Sequence, residues 1–213
     1  MNKKCAGYIL VFVVAGLCLA LSGNAYYRVR FVYDGDTIEL ENGEKVRYLG
    51  IDAPEVDHEG TGSQFMAHAA WKFNRTLLKG AEVRLERDRE KRDHYGRLLA
   101  YVFLRNGKMV NVLMVRNGLA HVMFYPSNLR YRRILLESQR AAMKEKRGIW
   151  NRNLKEKTGI IYLGNRKTLR FHRPGCPFSA NISGKHRVLF ETRFAAYWEG
   201  YSPCRKCRPE KER

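Results

Sequence analysis

Across the main body of the chain, Val29, Phe31 and Tyr33 are interleaved with Arg28, Arg30 and Val32. This strand periodicity runs into the turn Asp34-Gly35. Two further strands, Thr37 to Leu40 and Lys45 to Ile51, flank the turn residues Glu41-Asn42-Gly43 and predict a hairpin. Another pair, Val83 to Arg87 and Leu98 to Leu104, encloses a charged loop. Between the two strand groups, Phe65, Ala69, Phe73 and Leu77 recur at helical spacing and predict a helix over 64–78. Val110 to Asn117 reads as a short helix stopped by Gly118, and Leu129 to Lys146 as a longer one stopped by Gly148. Five short strands with three helices predict an α+β domain in which a five-stranded barrel carries the helices, a shape compatible with an OB-type fold.

The pattern changes at both ends. Lys3 and Lys4 precede an uncharged run from Cys5 to Tyr27, and Gly23-Asn24-Ala25 places small residues where a leader is cleaved. Residues 1–25 therefore read as a signal peptide, or else as an uncleaved membrane anchor, and either places the body outside the cytoplasm, secreted or tethered. Leu17 before Cys18 argues against lipidation. Arg152 to Thr158 is polar and reads as a linker between a domain at 26–151 and a second unit at 159–213.

Composition adds a partner. The chain carries 40 Lys and Arg against 21 Asp and Glu, a net charge of +19, while 45% hydrophobic and 12% aromatic content suffices for a core. Intrinsic disorder is excluded, and the excess charge points to nucleic acid first and anionic membrane second. Residues 158–213 hold 12 basic and 4 acidic side chains, against 26 and 17 over residues 26–157, so the smaller piece is the denser in positive charge. No cysteine lies between residues 26 and 175, which excludes a disulfide scaffold for the main body.

Four segments carry candidate chemistry: Asp34-Gly35-Asp36-Thr37, Val46 to Glu55, Asp93 to Tyr101, and Gly118-Leu119-Ala120. With Lys144 to Trp150 they resemble the thermonuclease (staphylococcal nuclease-like) family in order, spacing and residue type over Arg28 to Trp150. The resemblance implies an OB-fold barrel with three helices, and calcium-dependent endonuclease cleavage of DNA and RNA that leaves 3′-phosphates. Asp36 and Asp52 would supply hard carboxylate oxygens to Ca²⁺ and Ala53 its carbonyl, with no histidine or thiol required. Arg47 and Arg97 match the family's phosphate-contacting arginines, whose planar forks suit a phosphodiester gaining charge. Glu55 matches the carboxylate that activates or orients water. Tyr95 matches a tyrosine near the nucleotide pocket, and Phe124 or Tyr125 is placed to stack a base, with a core role for Phe124 as the alternative. His58, His68, His94 and His121 are read as surface or packing residues. The competing reading is a catalytically inactive nucleic-acid-binding barrel, against which the intact Asp36, Arg47, Asp52, Glu55 and Arg97 stand.

In the second unit, His172 and Cys176 form H-x3-C, and Cys204 and Cys207 form C-x2-C. Two close ligand pairs on separate turns are how a chain too small for its own core builds a tetrahedral zinc site. Phe171 to Pro209, with a short helix at Ala195 to Glu199, resembles the metal-binding module of Ada-type DNA-repair proteins, with His172 in place of one cysteine. The resemblance implies a small α+β module around structural Zn²⁺. A Cys204–Cys207 disulfide is the alternative outside the cell, and His186 a substitute ligand. Because the catalytic set lies within Asp36 to Arg97, this reading makes the tail dispensable for cleavage while adding phosphate contacts. It also predicts a monomer.

Overall fold

The computed structural model describes residues 25–57, 62–151 and 159–210. The expected leader or anchor, the linker and His58 fall outside the described residues, Ala25 excepted. No described helix is long and apolar enough to cross a membrane.

Strand β1 (Tyr26–Val32) pairs antiparallel with β2 (Thr37–Leu40), and β2 with β3 (Lys45–Tyr48) across the tight turn at Gly43. The chain then forms β4 (Ile51–Asp52), helix α1 (Ala67–Leu78), β5 (Glu82–Glu86) and β6 (Leu98–Leu104). β3 lies parallel to β6, β6 antiparallel to β5, and β5 returns to β1, which closes the five-stranded barrel. Closure removes the free sheet edges that would otherwise invite pairing between chains. Ile38, Val46, Val83, Ala100 and Val102 fill its interior.

The elements depart from the periodicity in several places. The strand expected over Lys45 to Ile51 ends at Tyr48, because Gly50 turns the backbone at φ 77° and the chain resumes as β4 outside the barrel. In β1 the register slips between Val29 and Phe31, so Val32 turns inward while Phe31 is left exposed. A bulge of this kind inverts the alternation beyond it. α1 starts at Ala67 because Met66 adopts a left-handed backbone, φ 68°, which no α-helix accommodates.

α1 locks the loop that carries the acidic residues. The Trp71 indole donates to the Val32 carbonyl (3.0 Å), and Asn74, fully buried, donates to the Asp34 carbonyl (2.9 Å) while accepting from the Tyr48 hydroxyl (3.0 Å). Gly35 sits where a Cβ would lie 2.6 Å from that of Ala53 and 2.9 Å from that of Ala70, so only glycine lets the three segments meet.

Beyond the barrel, α2 (Val110–Arg116), β7 (His121–Val122) and α3 (Arg132–Lys144) follow. α3 begins three residues later than its apolar pattern suggests. The Arg130 amide is captured by Asp88 (3.0 Å) and the Tyr131 hydroxyl by Glu86 (2.5 Å), which hold that stretch against the barrel. β7 pairs antiparallel with β4, setting His121 opposite Asp52.

The C-terminal unit is a four-stranded sheet of β8 (Tyr162–Asn165), β9 (Arg170–His172), β10 (Arg187–Phe190) and β11 (Ser202–Pro203), in the order β10-β8-β9-β11. It carries short helices α4 (Pro177–Ala180) and α5 (Arg193–Trp198), the latter capped by the Thr192 hydroxyl. It does not hang free. Ala142, Met143 and Trp150 share one apolar cluster with Tyr162, Phe171, Phe190, Tyr197 and Tyr201. The buried Gln139 on α3 accepts from the Val122 amide (2.7 Å) and donates to the Tyr197 carbonyl (2.6 Å). Arg140 donates to the Trp198 carbonyl (2.9 Å).

Candidate active site

Asp36 opens β2, and its backbone amide is turned by the Asp34 carboxylate (2.8 Å). Its own carboxylate, 2% exposed, accepts the Ala53 amide (2.6 Å), the Thr37 hydroxyl (3.1 Å) and Arg47 Nη1 (2.6 Å). Arg47, on the neighbouring β3, reaches with its other terminal nitrogen to Asp52 (2.5 Å) and donates to the Ile51 carbonyl (3.2 Å). One buried guanidinium thus bridges the two expected calcium carboxylates.

Negative charge is in excess here. Burial pushes the Asp36 carboxyl well above its usual range; Arg47 opposes this, and Asp34 and Asp52 add to it. Burial works against the Arg47 charge, yet Asp36, Asp52, Asp34 and Glu55 outweigh it and hold the guanidinium more firmly protonated. Glu55, exposed at the rim, is raised by partial desolvation and by Asp34 and Asp52, against the pull of Arg47 and Arg205. An oxygen-rich cluster with more carboxylates than buried arginines suits a hard divalent cation. Asp36 and Asp52 are the side chains that would hold one, with the Ala53 carbonyl and water completing the set.

Arg97 precedes β6 on a turn built by Asp93. One Asp93 oxygen accepts the amides of Tyr95 and Arg97 (3.0 Å each), and the other takes Arg97 Nε and Nη2 (2.8 Å each). Arg97 is held in plane from one side and keeps its remaining donors for the cleft. Tyr95, 71% exposed, packs at a tilt of 42° against His94 and lies 5.3 Å from the Arg97 guanidinium. Arg47, Arg97, Tyr95, Tyr125, Met123 and Arg205 line one cleft of about 230 Å³.

Phe124 requires correction as a base-stacking residue. It is 1% exposed, against Gly50 and Gly200, with Arg132 over its ring, so no face is left for a base. Tyr125 is exposed and opens to the cleft. His121 is a half-buried packing residue whose imidazole is pushed down to about 4 by desolvation, with Nε2 3.9 Å from Asp52. His68 is exposed and pairs with Ser63 (3.2 Å).

The second set of ligands converges as well. His172 ends β9, Cys176 caps α4 after a turn through Gly175, and the Cys204 amide donates to the Phe171 carbonyl (2.9 Å). The donor atoms of His172, Cys176, Cys204 and Cys207 all lie within 4.8 Å of one another, a spacing a tetrahedral ion would fit. Burial pushes the Cys207 thiol up to about 12, so cation binding there would release protons. The three cysteines carry no disulfide. His186 lies on a separate 3-10 turn and is not among the four converging groups.

The family model described as staphylococcal nuclease homologue matches residues 45–152. The thermonuclease of Staphylococcus intermedius is 43% identical over 129 residues, covering 59% of this chain and 76% of that protein. The chain belongs to the staphylococcal nuclease family. The thermonuclease of Staphylococcus hyicus is 38% identical over 128 residues, covering 59% of this chain and 75% of its own length. Endonuclease YncB of Bacillus subtilis is 38% identical over 125 residues, covering 56% of this nuclease and 59% of its own length. The model for the metal binding domain of Ada matches residues 147–210, so the nuclease carries a second module resembling that domain. Sequence reasoning missed Arg205, which sits inside C-x2-C and contacts Asp52 across 153 residues of chain. Its neighbours Cys204 and Cys207 explain its sequence context fully, and nothing in the pattern points to a second role.

Proposed function

We propose that this nuclease is a calcium-dependent endonuclease that hydrolyses phosphodiester bonds of both DNA and RNA. The observation that carries the reading is the Arg47 guanidinium seated between Asp36 and Asp52, at the end of a cleft that also presents Arg97. Asp36 and Asp52 would hold the cation, whose chemistry is to neutralise charge on the scissile phosphate. Arg47 and Arg97 contribute donors fixed before substrate arrives, Arg97 by Asp93 and Arg47 by the carbonyls and carboxylates around it. Glu55, exposed and with its carboxyl raised above the ordinary range by partial desolvation and by Asp34, would take a proton from attacking water. Tyr95 and Tyr125 are exposed aromatic residues lining the same cleft. Nothing in this arrangement depends on a 2′-hydroxyl, which supports action on both nucleic acids, and the family likeness supports 3′-phosphate products.

His172, Cys176, Cys204 and Cys207 would hold Zn²⁺ as a structural ion, and the leader-like residues 1–25 support secretion or tethering outside the cytoplasm. The test is cleavage of DNA and RNA by the full chain, with calcium and in its absence. Cleavage of both with calcium, lost without it, is expected, and Asp36→Ala is expected to raise the calcium requirement. Equal activity after removal of calcium would overturn the reading, as would 5′-phosphate ends for the proposed chemistry.

A further inference from the structure

Two residues of the C-terminal unit reach the nuclease cleft. Arg205, on the turn from Cys204 to Cys207, places Nη2 3.3 Å from Asp52 Oδ1 and 3.9 Å from Met123 Sδ. Arg170, on β9, donates to the Phe124 carbonyl (3.0 Å) and covers the Tyr125 ring at 4.8 Å. The first brings a cation to the rim of the acidic cluster, and the second fixes an aromatic side chain that lines the same cleft.

The Arg205 contact is unlike that of Arg47. Arg47 is buried and bidentate across two carboxylates, whereas the Arg205 side chain is 66% exposed and touches Asp52 through one nitrogen at the longer distance. A guanidinium has five N–H donors in a fixed fork, and this one lines the cleft with its side chain largely exposed. Its charge is also felt by Glu55, the residue placed to handle the water proton. An exposed, singly held arginine beside the reaction centre exchanges a solvated carboxylate contact for phosphate oxygens at little cost.

We propose that Arg205 is a phosphate-binding residue of the nuclease cleft, so that the C-terminal unit supplies one wall of the active site. The proposal rests on the nuclease reading and deepens it. The position of the residue follows from the turn that carries it. Cys204 is tied to β9 through the Phe171 carbonyl, and the Arg208 amide closes back on the Cys204 carbonyl (2.8 Å). The segment that gathers thiols on one side therefore presents Arg205 on the other. The substrate group it fits is a backbone phosphate next to the scissile one, which the reading assigns to Arg47 and Arg97 in the same cleft.

The test compares the full-length wild type with Arg205→Gln and Arg205→Lys, each checked for equal zinc content and thermal midpoint. The probe is a fluorescent oligothymidylate, titrated in calcium-free buffer so that binding is read without cleavage. Arg205→Gln is expected to weaken binding about tenfold at low salt and to flatten the salt dependence by about 0.7 in log–log slope, the value of one single-strand phosphate contact. Arg205→Lys is expected to restore the slope and only part of the affinity. With calcium, KM is expected to rise more than kcat falls. Unchanged affinity and slope in Arg205→Gln would overturn the proposal, and if the thermal midpoint alone fell, Arg205 would be an ion pair joining two units. A wild type that binds and cuts while the variant matches it refutes this inference alone. A wild type that does neither refutes the nuclease reading together with it.

Discussion

Asp93 makes Arg97 useful by using up only one side of it. With Nε and Nη2 bound to a single carboxylate oxygen, the guanidinium plane is set, and a bidentate approach by phosphate is available from the other edge. Arg97→Lys is expected to lose about a hundredfold in kcat, on the order of 3 kcal/mol, because an ammonium cannot reproduce two parallel hydrogen bonds. Steady-state rates within threefold of wild type would remove Arg97 from the reaction. Asp93→Ala is expected to give a similar loss in rate with Arg97 intact, measured in the same assay. The aromatic pair divides differently. Tyr125→Ala is expected to weaken single-strand binding by about 1–3 kcal/mol. Phe124→Ala is expected to cost about 3–5 kcal/mol of stability, through the cavity it leaves, as read by denaturant unfolding. These side chains are adjacent in sequence and equally aromatic, and only the packing of Gly50 and Gly200 against Phe124 separates them. No residue-by-residue reading supplies that difference.

Among the elements, what the sequence displayed was alternation and helical spacing, and both translate well where strands are long and one-sided. β2 and β6 lie where the pattern places them and β5 within one residue, whereas the strand read over Lys45 to Ile51 is cut after Tyr48 and its end joins a second sheet as β4. The β1 bulge did not show, because a single inserted residue leaves composition unchanged while inverting every side chain after it. The C-terminal strands were hidden for another reason. At two to four residues each, set among turns and ligand positions, they carry no sustained alternation, and the linker and the ligand spacing announced the unit. That spacing leads to a prediction at this scale. As purified, the chain is expected to contain about one zinc per molecule, measured by metal analysis with thiol counting. His172→Ala is expected to lower zinc affinity and the thermal midpoint together, since a metal-built fold stores part of its stability in the ligand bonds. Full zinc content in His172→Ala would remove that residue from the set.

For the molecule as a whole, the linker reading suggested a barrel with a detachable basic tail, and the structure shows two units that share a core. Tyr197 lies edge-on to Trp150 (5.1 Å between centroids) and to Phe171 (5.2 Å), so aromatic packing is continuous from one unit into the other. Deleting residues 159–213 is accordingly expected to lower the stability of the barrel, as well as its substrate affinity. The unfolding midpoint of the truncated chain checks this against the full one. Gln139 sharpens the point, because its fully buried amide donates to a carbonyl that only the C-terminal unit supplies. During synthesis the barrel and α3 emerge first, and until Tyr197 follows, Gln139 holds an amide with no acceptor beside an uncovered apolar strip of Ala142, Met143 and Trp150. The nascent enzyme therefore has a built-in interval of vulnerability, roughly the last quarter of its translation, in which it is sticky and incomplete.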